Sequence, residues 1–322
     1  MENFVFALNA TVPVFLVMAL GFFLQQVHFL NDAFNKTANE YVFRCALPIS
    51  LFRSIAGMDF YREFDLGFCL FCFLGTTAMF FGIWAVSWAV MKDKTQVGAF
   101  AQASVRSSAA VLGIAFATNI YGDTGMVPMM IMSSVPFFNV YSVVILSFSP
   151  QVDEQGHLIP ASHGTKAIKR ACVNVVKNPL ILGIVAGLPF SLLQIQVPTM
   201  LDSALSSIGA TATPVALLVV GASFSGSQAM TRWKGAVWSS FVKLFLLPGI
   251  FLPLAAILGF RQSELIAILI MVGSPTTVAS FVMAKSMHAD GVLTSNAILL
   301  STILSSVSIT MWLYLLRLFL LI

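Results

Sequence analysis

Two basic residues, Arg106 and Lys243, lie within long apolar segments, where a charged side chain is costly and usually functional. Ser107 and Ser108 follow Arg106 directly. A guanidinium binds a carboxylate through two hydrogen bonds, and neighbouring hydroxyls add more. We therefore predict that Arg106, Ser107 and Ser108 bind a carboxylate, with helix packing as the alternative for Arg106. Lys243 is predicted to be a ligand anchor, a counter-charge or a structural tether.

A second candidate segment begins at Gly273 and reads Gly-Ser-Pro-Thr-Thr in the middle of another apolar run. Its proline removes a backbone donor and its glycine adds backbone freedom, so the helix is predicted to be interrupted there. If the segment at Arg106 unwinds as well, two half-helix N-termini direct N–H groups and positive dipole ends at one volume, which favours an anion. The predicted binding residues here are Ser274, Pro275, Thr276 and Thr277.

Asn139 is the last candidate binding residue, because a carboxamide in an apolar helix bonds either to a ligand or to another helix. Arg44 lies nearer the end of its apolar segment, and its side chain is predicted to reach the interface.

The elements that must position these residues are apolar helices. Of the 322 residues, 58% are hydrophobic and 9% charged, whereas a soluble domain carries roughly 25% charged residues. Residues 1–322 are therefore predicted to form a single all-α membrane domain. Ten apolar stretches are long enough to cross a bilayer of roughly 30 Å. They cover residues 6–26, 36–54, 66–91, 97–119, 125–148, 175–194, 200–223, 233–258, 263–285 and 292–319.

The distribution of lysine and arginine predicts the orientation of these spans. With the N-terminus outside, ten of the 17 basic residues fall in inner loops and four in outer segments. Because basic residues concentrate on the cytoplasmic side, the chain is predicted to lie in the cytoplasmic (inner) membrane with both termini outside. Loop 149–174 is then cytoplasmic, and its helical pattern predicts a short interfacial helix. The basic residues form no single patch, which argues against a nucleic-acid partner.

The two halves of the sequence match at a nearly constant separation, which indicates a duplication. Residues 1–148 and 175–322 are predicted to be five-helix repeats, and an odd number of spans makes the second copy inverted. Inverted repeats with broken helices at the bilayer midplane are typical of secondary transporters. The matched pairs, 166 or 167 residues apart, are Pro13 and Pro179, Gly21 and Gly187, Pro48 and Pro214, and Asp123 and Asp290.

Four segments resemble signature segments of the auxin efflux carrier family, in the right order and through essentially the whole chain. They are Phe43–Arg53 (FRCALPISLFR), Lys177–Leu188 (KNPLILGIVAGL), Ala212–Ser223 (ATPVALLVVGAS) and Ile298–Ser305 (ILLSTILS). The family includes plant auxin exporters and bacterial permeases for malate, malonate and similar acids.

This resemblance implies a fold of the sodium/proton antiporter or bile-acid symporter type, with crossed, discontinuous helices 4 and 9. It also implies that a carboxylate binds where they cross. The chain departs from many relatives at Ser108 and Ala115, where an asparagine and a proline are usual, and it lacks the long hydrophilic loop of plant members. A bacterial member is therefore expected.

The predicted function is secondary transport of an organic acid anion, such as malate, malonate or an auxin-like carboxylate, by alternating access. A sodium- or proton-coupled symporter of another solute and a channel or solute sensor are the alternatives. The sequence leaves open a coupling proton or sodium ion and assembly as a homodimer. Cys69 and Cys72 form a C-x-x-C within an apolar run, where small packing residues are the favoured interpretation, so no metal or cofactor is predicted. The histidines fall in loops or at helix ends, which disfavours an enzyme.

Overall fold

A computed structural model describes residues 2–57, 65–109, 117, 125–152, 158–159, 173, 175–223 and 226–322. Helices make up nearly all of this part of the chain. The exception among regular elements is a two-residue antiparallel pair, in which Gln151–Val152 bonds to Leu158–Ile159. The predicted interfacial helix of loop 149–174, Ala115 and Asp123 lie largely or wholly outside the described residues.

We number the helices of the described residues α1 to α11 in chain order. The first five are α1 (Glu2–Gln26), α2 (Asp32–Tyr41 and Leu47–Ala56, joined by the π-helical turn Val42–Ala46), α3 (Leu66–Val90), α4 (Val97–Val105) and α5 (Val127–Phe148). The next three are α6 (Pro179–Leu192), α7 (Thr199–Ala210 and Ala212–Ala222) and α8 (Gly226–Phe241 and Leu247–Ile257, joined by the π-helical turn Val242–Leu246). The last three are α9 (Gln262–Gly273), α10 (Val278–Ser286) and α11 (Gly291–Leu318).

Five helices of the described residues are long and apolar enough to cross a membrane: α3, α5, Thr199–Ala222 of α7, Arg232–Ile257 of α8, and α11. Shorter apolar helices occur at Leu16–Gln26, in α6 and in α9. Each of the ten predicted spans overlaps a described helix, and the ninth corresponds to α9 together with α10. The fourth overlaps α4, whereas residues 110–116 and 118–124 lie outside the described part.

Glycines allow α1 and α7 to pack with their backbones in contact. A Cβ atom at Gly21 would lie 2.3 Å from the carbonyl oxygen of Leu218, and one at Gly221 would lie 1.9 Å from that of Met18. Neither position has room for a side chain, because real Cβ atoms do not approach a backbone oxygen so closely. The two helices therefore form a rigid pair, and α2 packs on α6 in the same way.

Replacing Gly221 with alanine is expected to lower the thermal unfolding midpoint, because the new methyl group must push α1 away from α7. Overpacking of this kind costs about 1–3 kcal/mol. Gly82 in α3 is the matched control, since a Cβ atom there meets nothing within 4 Å. Thermal melts of the purified variants would measure the difference. A Gly221→Ala protein as stable as Gly82→Ala would contradict the close approach of these helices.

One arginine joins three segments at the end of the molecule where α3 finishes and α11 begins. The guanidinium of Arg232 donates to Asp93 at 3.2 Å through one nitrogen and to Asp290 at 2.8 Å through another. Asp290 also caps α11 by accepting a hydrogen bond from the backbone N–H of Leu293 at 2.9 Å. The Arg232 cluster therefore ties the ends of α3, α8 and α11 together.

Partial burial alone raises the pKa of the Asp93 carboxyl, but hydrogen bonds from Thr95 and Gln96 and the charge of Arg232 outweigh it and hold the pKa below its ordinary value. A depressed carboxyl pKa stabilises the fold above the unfolded pKa of about 3.9 and loses that contribution as pH falls through the folded pKa. Because the Arg232 and Asp93 side chains are 33% and 42% exposed, the ion pair contributes at most about 1 kcal/mol.

We expect Asp93→Asn to lower the thermal midpoint slightly at pH 7. The difference from wild type should vanish as pH falls through the folded pKa of Asp93, where the wild-type carboxyl becomes protonated. Melting curves across this pH range would measure it. Glu40→Gln is the control, because Glu40 is exposed and forms no ion pair with a described residue. A constant difference between wild type and Asp93→Asn at every pH would contradict the ion pair.

Candidate ligand-binding site

Two helices are interrupted where their extended segments cross. Helix α4 ends at Val105, and Arg106 is extended with φ −64° and ψ 126°. Helix α9 ends at Gly273, and an extended stretch leads to α10. The two stretches run antiparallel and form a backbone bridge between Ser107 and Thr276, and the N–H of Ser108 donates to the carbonyl of Pro275 at 3.0 Å.

Side chains of the predicted site hold this crossing together. The hydroxyl of Thr276 donates to the carbonyl of Ala103 at 2.7 Å, and its backbone N–H donates to the Ser301 hydroxyl at 3.1 Å. The Ser107 hydroxyl donates to the carbonyl of Met271. Ser107 and Thr276 therefore use their hydroxyls to fix the two extended segments in the fully buried interior.

The Lys243 ammonium lies at the C-terminal ends of both interrupted helices. It donates to the carbonyls of Val105 at 2.9 Å and Val272 at 3.1 Å, and it contacts the carbonyl of Met271 at 3.4 Å and the Ser107 hydroxyl. These carbonyls form the negative dipole ends of α4 and α9. An ammonium has three donors, and the surrounding backbone accepts all of them. This geometry favours the counter-charge and tether roles over that of ligand anchor.

The π-helical turn that carries Lys243 follows from the proline after it. Pro248 has no N–H to donate to the carbonyl of Leu244, and its ring would clash with that carbonyl in a regular helix. A wider turn relieves the clash, and the indole N–H of Trp312 bonds to the freed Leu244 carbonyl at 2.9 Å. Lys243 is thereby rotated into the interior, where it is 0% exposed.

Arg106 is a buried cation that lacks an acidic partner among the described residues. It is 3% exposed. Its guanidinium donates to the Asn139 side-chain oxygen at 2.9 Å and contacts the sulfur of Met283 at 3.5 Å, whereas its Nε atom has no partner. Asn139 is held in turn by a 2.9 Å bond to the carbonyl of Val135. An uncompensated buried charge is strongly unfavourable, so this site is poised to accept an anion.

Other buried polar atoms near the crossing also lack hydrogen-bond partners. The Gln102 amide donates to the carbonyl of Ser280 at 3.1 Å, but its oxygen accepts nothing. The hydroxyls of Ser280 and Ser274 are also unpaired. Because buried polar groups are normally satisfied, these atoms give the interior beside α10 unused hydrogen-bonding capacity for a polar ligand.

Helix α10 directs its N-terminus at the crossing. Thr277 is the extended N-cap, with φ −70° and ψ 143°, and provides no side-chain hydrogen bond to the first turn. The N–H of Ser280 donates to the carbonyl of Thr277 at 3.0 Å, and those of Val278 and Ala279 remain available to an anion. The sequence predicted two converging helix N-termini. The structure describes the one that begins α10, whereas the one expected after Ala109 lies outside the described residues.

The structure places the predicted residues in two groups. Arg106 and Asn139 are bonded to each other, while the other members form the crossing or its tether. The crossing group consists of Ser107, Ser108, Lys243, Ser274, Pro275, Thr276 and Thr277. Sequence reasoning missed Ser280, Ser301 and Met283. Of these, only Ser280 had a signal, since it follows Thr277 at helical spacing.

The described residues contain no group of three or more His, Cys, Asp or Glu side chains that could hold a metal ion. Cys45, Cys69 and Cys72 are free thiols, and Cys172 lies outside the described part of the chain.

Comparison with known proteins identifies the family of the chain. The family model "Membrane transport protein" matches residues 6–313. An uncharacterized transporter of Methanothermobacter thermautotrophicus is 23% identical over 308 residues, which cover 94% of this chain and 96% of that protein. The resemblance to the auxin efflux carriers is thereby confirmed. The chain is a membrane transporter and belongs to the membrane transport protein family, that of the auxin efflux carriers.

Proposed function

We propose that the chain is a secondary transporter that moves a small organic acid anion by alternating access, with the carboxylate bound where α4 crosses the α9–α10 segment. The observation that carries this proposal is the buried Arg106 guanidinium, which bonds to neutral Asn139 and contacts no carboxylate among the described residues. Malate, malonate and auxin-like carboxylates are the candidate cargoes.

The balance of charge at the crossing supports an anion. The C-termini of α4 and α9 each carry roughly −0.5 of an elementary charge, and together they offset the +1 of Lys243. The positive N-terminus of α10 and the full charge of Arg106 remain without compensation. A carboxylate bound between them would offset most of this positive charge, whereas a cationic or neutral solute would not.

The repeat supports alternating access. We propose ten spans in two inverted five-helix repeats, residues 1–148 and 175–322, joined by loop 149–174. Residues 166 apart make equivalent contacts. Gly21 packs against the backbone of Leu218, and its equivalent Gly187 packs against that of Phe52, where an added Cβ atom would lie 2.8 Å from the carbonyl oxygen. At the crossing, Ser108 bonds to Pro275, its equivalent 167 residues on. Two like halves that exchange conformations would open the site to each side in turn.

The proposed location is the cytoplasmic membrane, with both termini outside and loop 149–174 in the cytoplasm. An inside-negative potential would then drive export of an anion, at roughly 2.3 kcal/mol per charge per 100 mV. Coupling to a proton or sodium ion is the alternative. Transport that persists at zero potential and stops when an ion gradient is removed would favour coupling.

Uptake into proteoliposomes tests the proposal. Malate, malonate, succinate and an indole carboxylic acid would be compared with alanine and a neutral sugar, and empty liposomes would serve as background. We expect saturable uptake of at least one carboxylate and none of the sugar. Absence of carboxylate transport would refute the proposal, and unitary currents through single molecules would indicate a channel instead.

A further inference from the structure

A polar cavity of about 890 Å³ lies at one end of the molecule. The ends of α1, α7 and α10, the first half of α2 and the start of α11 enclose it. Two buried amide oxygens in its wall, those of Asn35 and Asn39, accept no hydrogen bond. The wall therefore has free hydrogen-bonding groups and suits a hydrated, polar ligand better than an apolar one.

Two cations face this cavity without a carboxylate partner. Arg44 lies on the π-helical turn of α2, and Lys285 lies on α10. Both are exposed and line the cavity, and neither forms an ion pair with a described residue. Asp32, Glu40 and Lys36 also line the cavity. The two carboxylates stay beyond ion-pair distance of Arg44 and Lys285, although Asp32 attracts Lys285 from that range. The lining therefore keeps an excess of positive charge, which a bound anion would offset.

The side chain of Lys285 is held in place rather than extended into bulk water. Its ammonium lies 5.6 Å from the centre of the Phe281 ring, one turn back along α10, and 3.4 Å from the Ser223 hydroxyl. Phe281 is itself in the cavity wall. A cation fixed over an aromatic ring presents a defined point of attachment for a carboxylate.

The cavity is distinct from the Arg106 site. Met283, which contacts Arg106, is fully buried, whereas Lys285 is exposed to the cavity. Residues two apart on a helix point roughly 200° apart, so α10 separates the two. Moreover, Arg44 belongs to α2, whereas Lys285 belongs to α10, the helix that follows the crossing. A ligand that binds both would bridge two packed groups of helices.

We propose that this cavity is a second binding site, in which Arg44 and Lys285 hold the two carboxylates of a small dicarboxylate such as succinate. The inference rests on the proposed function for its biological meaning, since the site would receive cargo at the open end before the crossing. The two cations favour dicarboxylates over monocarboxylates, because a dicarboxylate can form an ion pair with each of them and a monocarboxylate with only one.

Equilibrium binding of radiolabelled succinate to the purified full-length protein tests this site. We expect wild type to bind succinate and to bind butyrate at least tenfold more weakly. Arg44→Gln and Lys285→Gln should each weaken succinate binding at the cavity at least tenfold, leaving only the binding at the Arg106 site. Lys92→Gln, which removes an exposed lysine outside the cavity, should bind as wild type does. Unchanged binding in the two cavity variants, or equal binding of butyrate, would overturn the proposal.

Further comparisons separate a failure of this proposal from other reasons for a loss of binding. Arg44→Lys and Lys285→Arg keep the charges and should bind within threefold of wild type; loss in these variants too would overturn the assignment to charge. Inorganic phosphate that competes as well as succinate would overturn the assignment to a dicarboxylate. Because the proposed Arg106 site can also hold succinate, each comparison is repeated in the Arg106→Ala background, where only the cavity site remains. A wild-type protein that binds succinate but transports no carboxylate would refute the proposed function and leave this site standing.

Discussion

Replacing Lys243 with methionine is expected to abolish transport and to lower stability more than any other single change to the crossing. Methionine fills a similar volume but donates no hydrogen bond, so the carbonyls of Val105 and Val272 and the Ser107 hydroxyl lose their donor. Each buried polar group left unpaired costs about 1–3 kcal/mol. The negative ends of α4 and α9 would also face each other without a counter-charge.

Thermal melts and proteoliposome uptake would measure the two effects of Lys243→Met. Lys234→Met is the matched control, because Lys234 lies on the same helix and is exposed; such surface changes usually stay within about 0.5 kcal/mol. If Lys243→Met melted and transported as wild type does, Lys243 would not be the tether of the crossing.

Arg106→Ala is expected to reduce carboxylate transport, measured as kcat/KM, about 100-fold or more. Charge-assisted hydrogen bonds contribute about 1.5–3 kcal/mol each, and every 1.4 kcal/mol is about tenfold. Arg106→Lys should retain part of the activity, because it keeps the charge but not the paired donors. Arg317→Ala, at the exposed end of α11, should transport as wild type does.

Stability separates a functional role of Arg106 from a structural one. Arg106→Ala removes a buried charge that has no anionic partner among the described residues, and this offsets the hydrogen bond that Asn139 loses. The thermal midpoint should therefore fall much less than in Lys243→Met. A packing role predicts a fall of similar size instead. A variant that loses stability and activity together would indicate that Arg106 only holds helices, and full activity in Arg106→Ala would contradict the proposed binding site.

The sequence predicted the elements whose causes are local. The two intramembrane cations were found because a charge in an apolar segment is costly wherever the chain folds. Likewise, Pro275 and Gly273 interrupt a helix through their own backbone chemistry, and α9 does end at Gly273. The family was also predicted correctly, since its segments are contiguous in sequence.

Relations between distant residues could not be predicted. Lys243 was left between three roles because its partner Val105 lies 138 residues away, and no local pattern reports that contact. The carbonyl of Leu244, which Pro248 leaves without a backbone donor, is satisfied by Trp312, 68 residues away. Similarly, Arg44 was predicted to reach the interface, and only the fold shows that it shares a cavity with Lys285.

A crystal structure of the wild type with a brominated carboxylate, located by anomalous scattering of the bromine, is the most direct test of carboxylate binding at the crossing. We predict a bromine peak beside the Arg106 guanidinium and the first turn of α10, and we predict that this peak disappears in Arg106→Ala. A ligand bound only elsewhere in the protein, with no peak near Arg106, would contradict the proposed site.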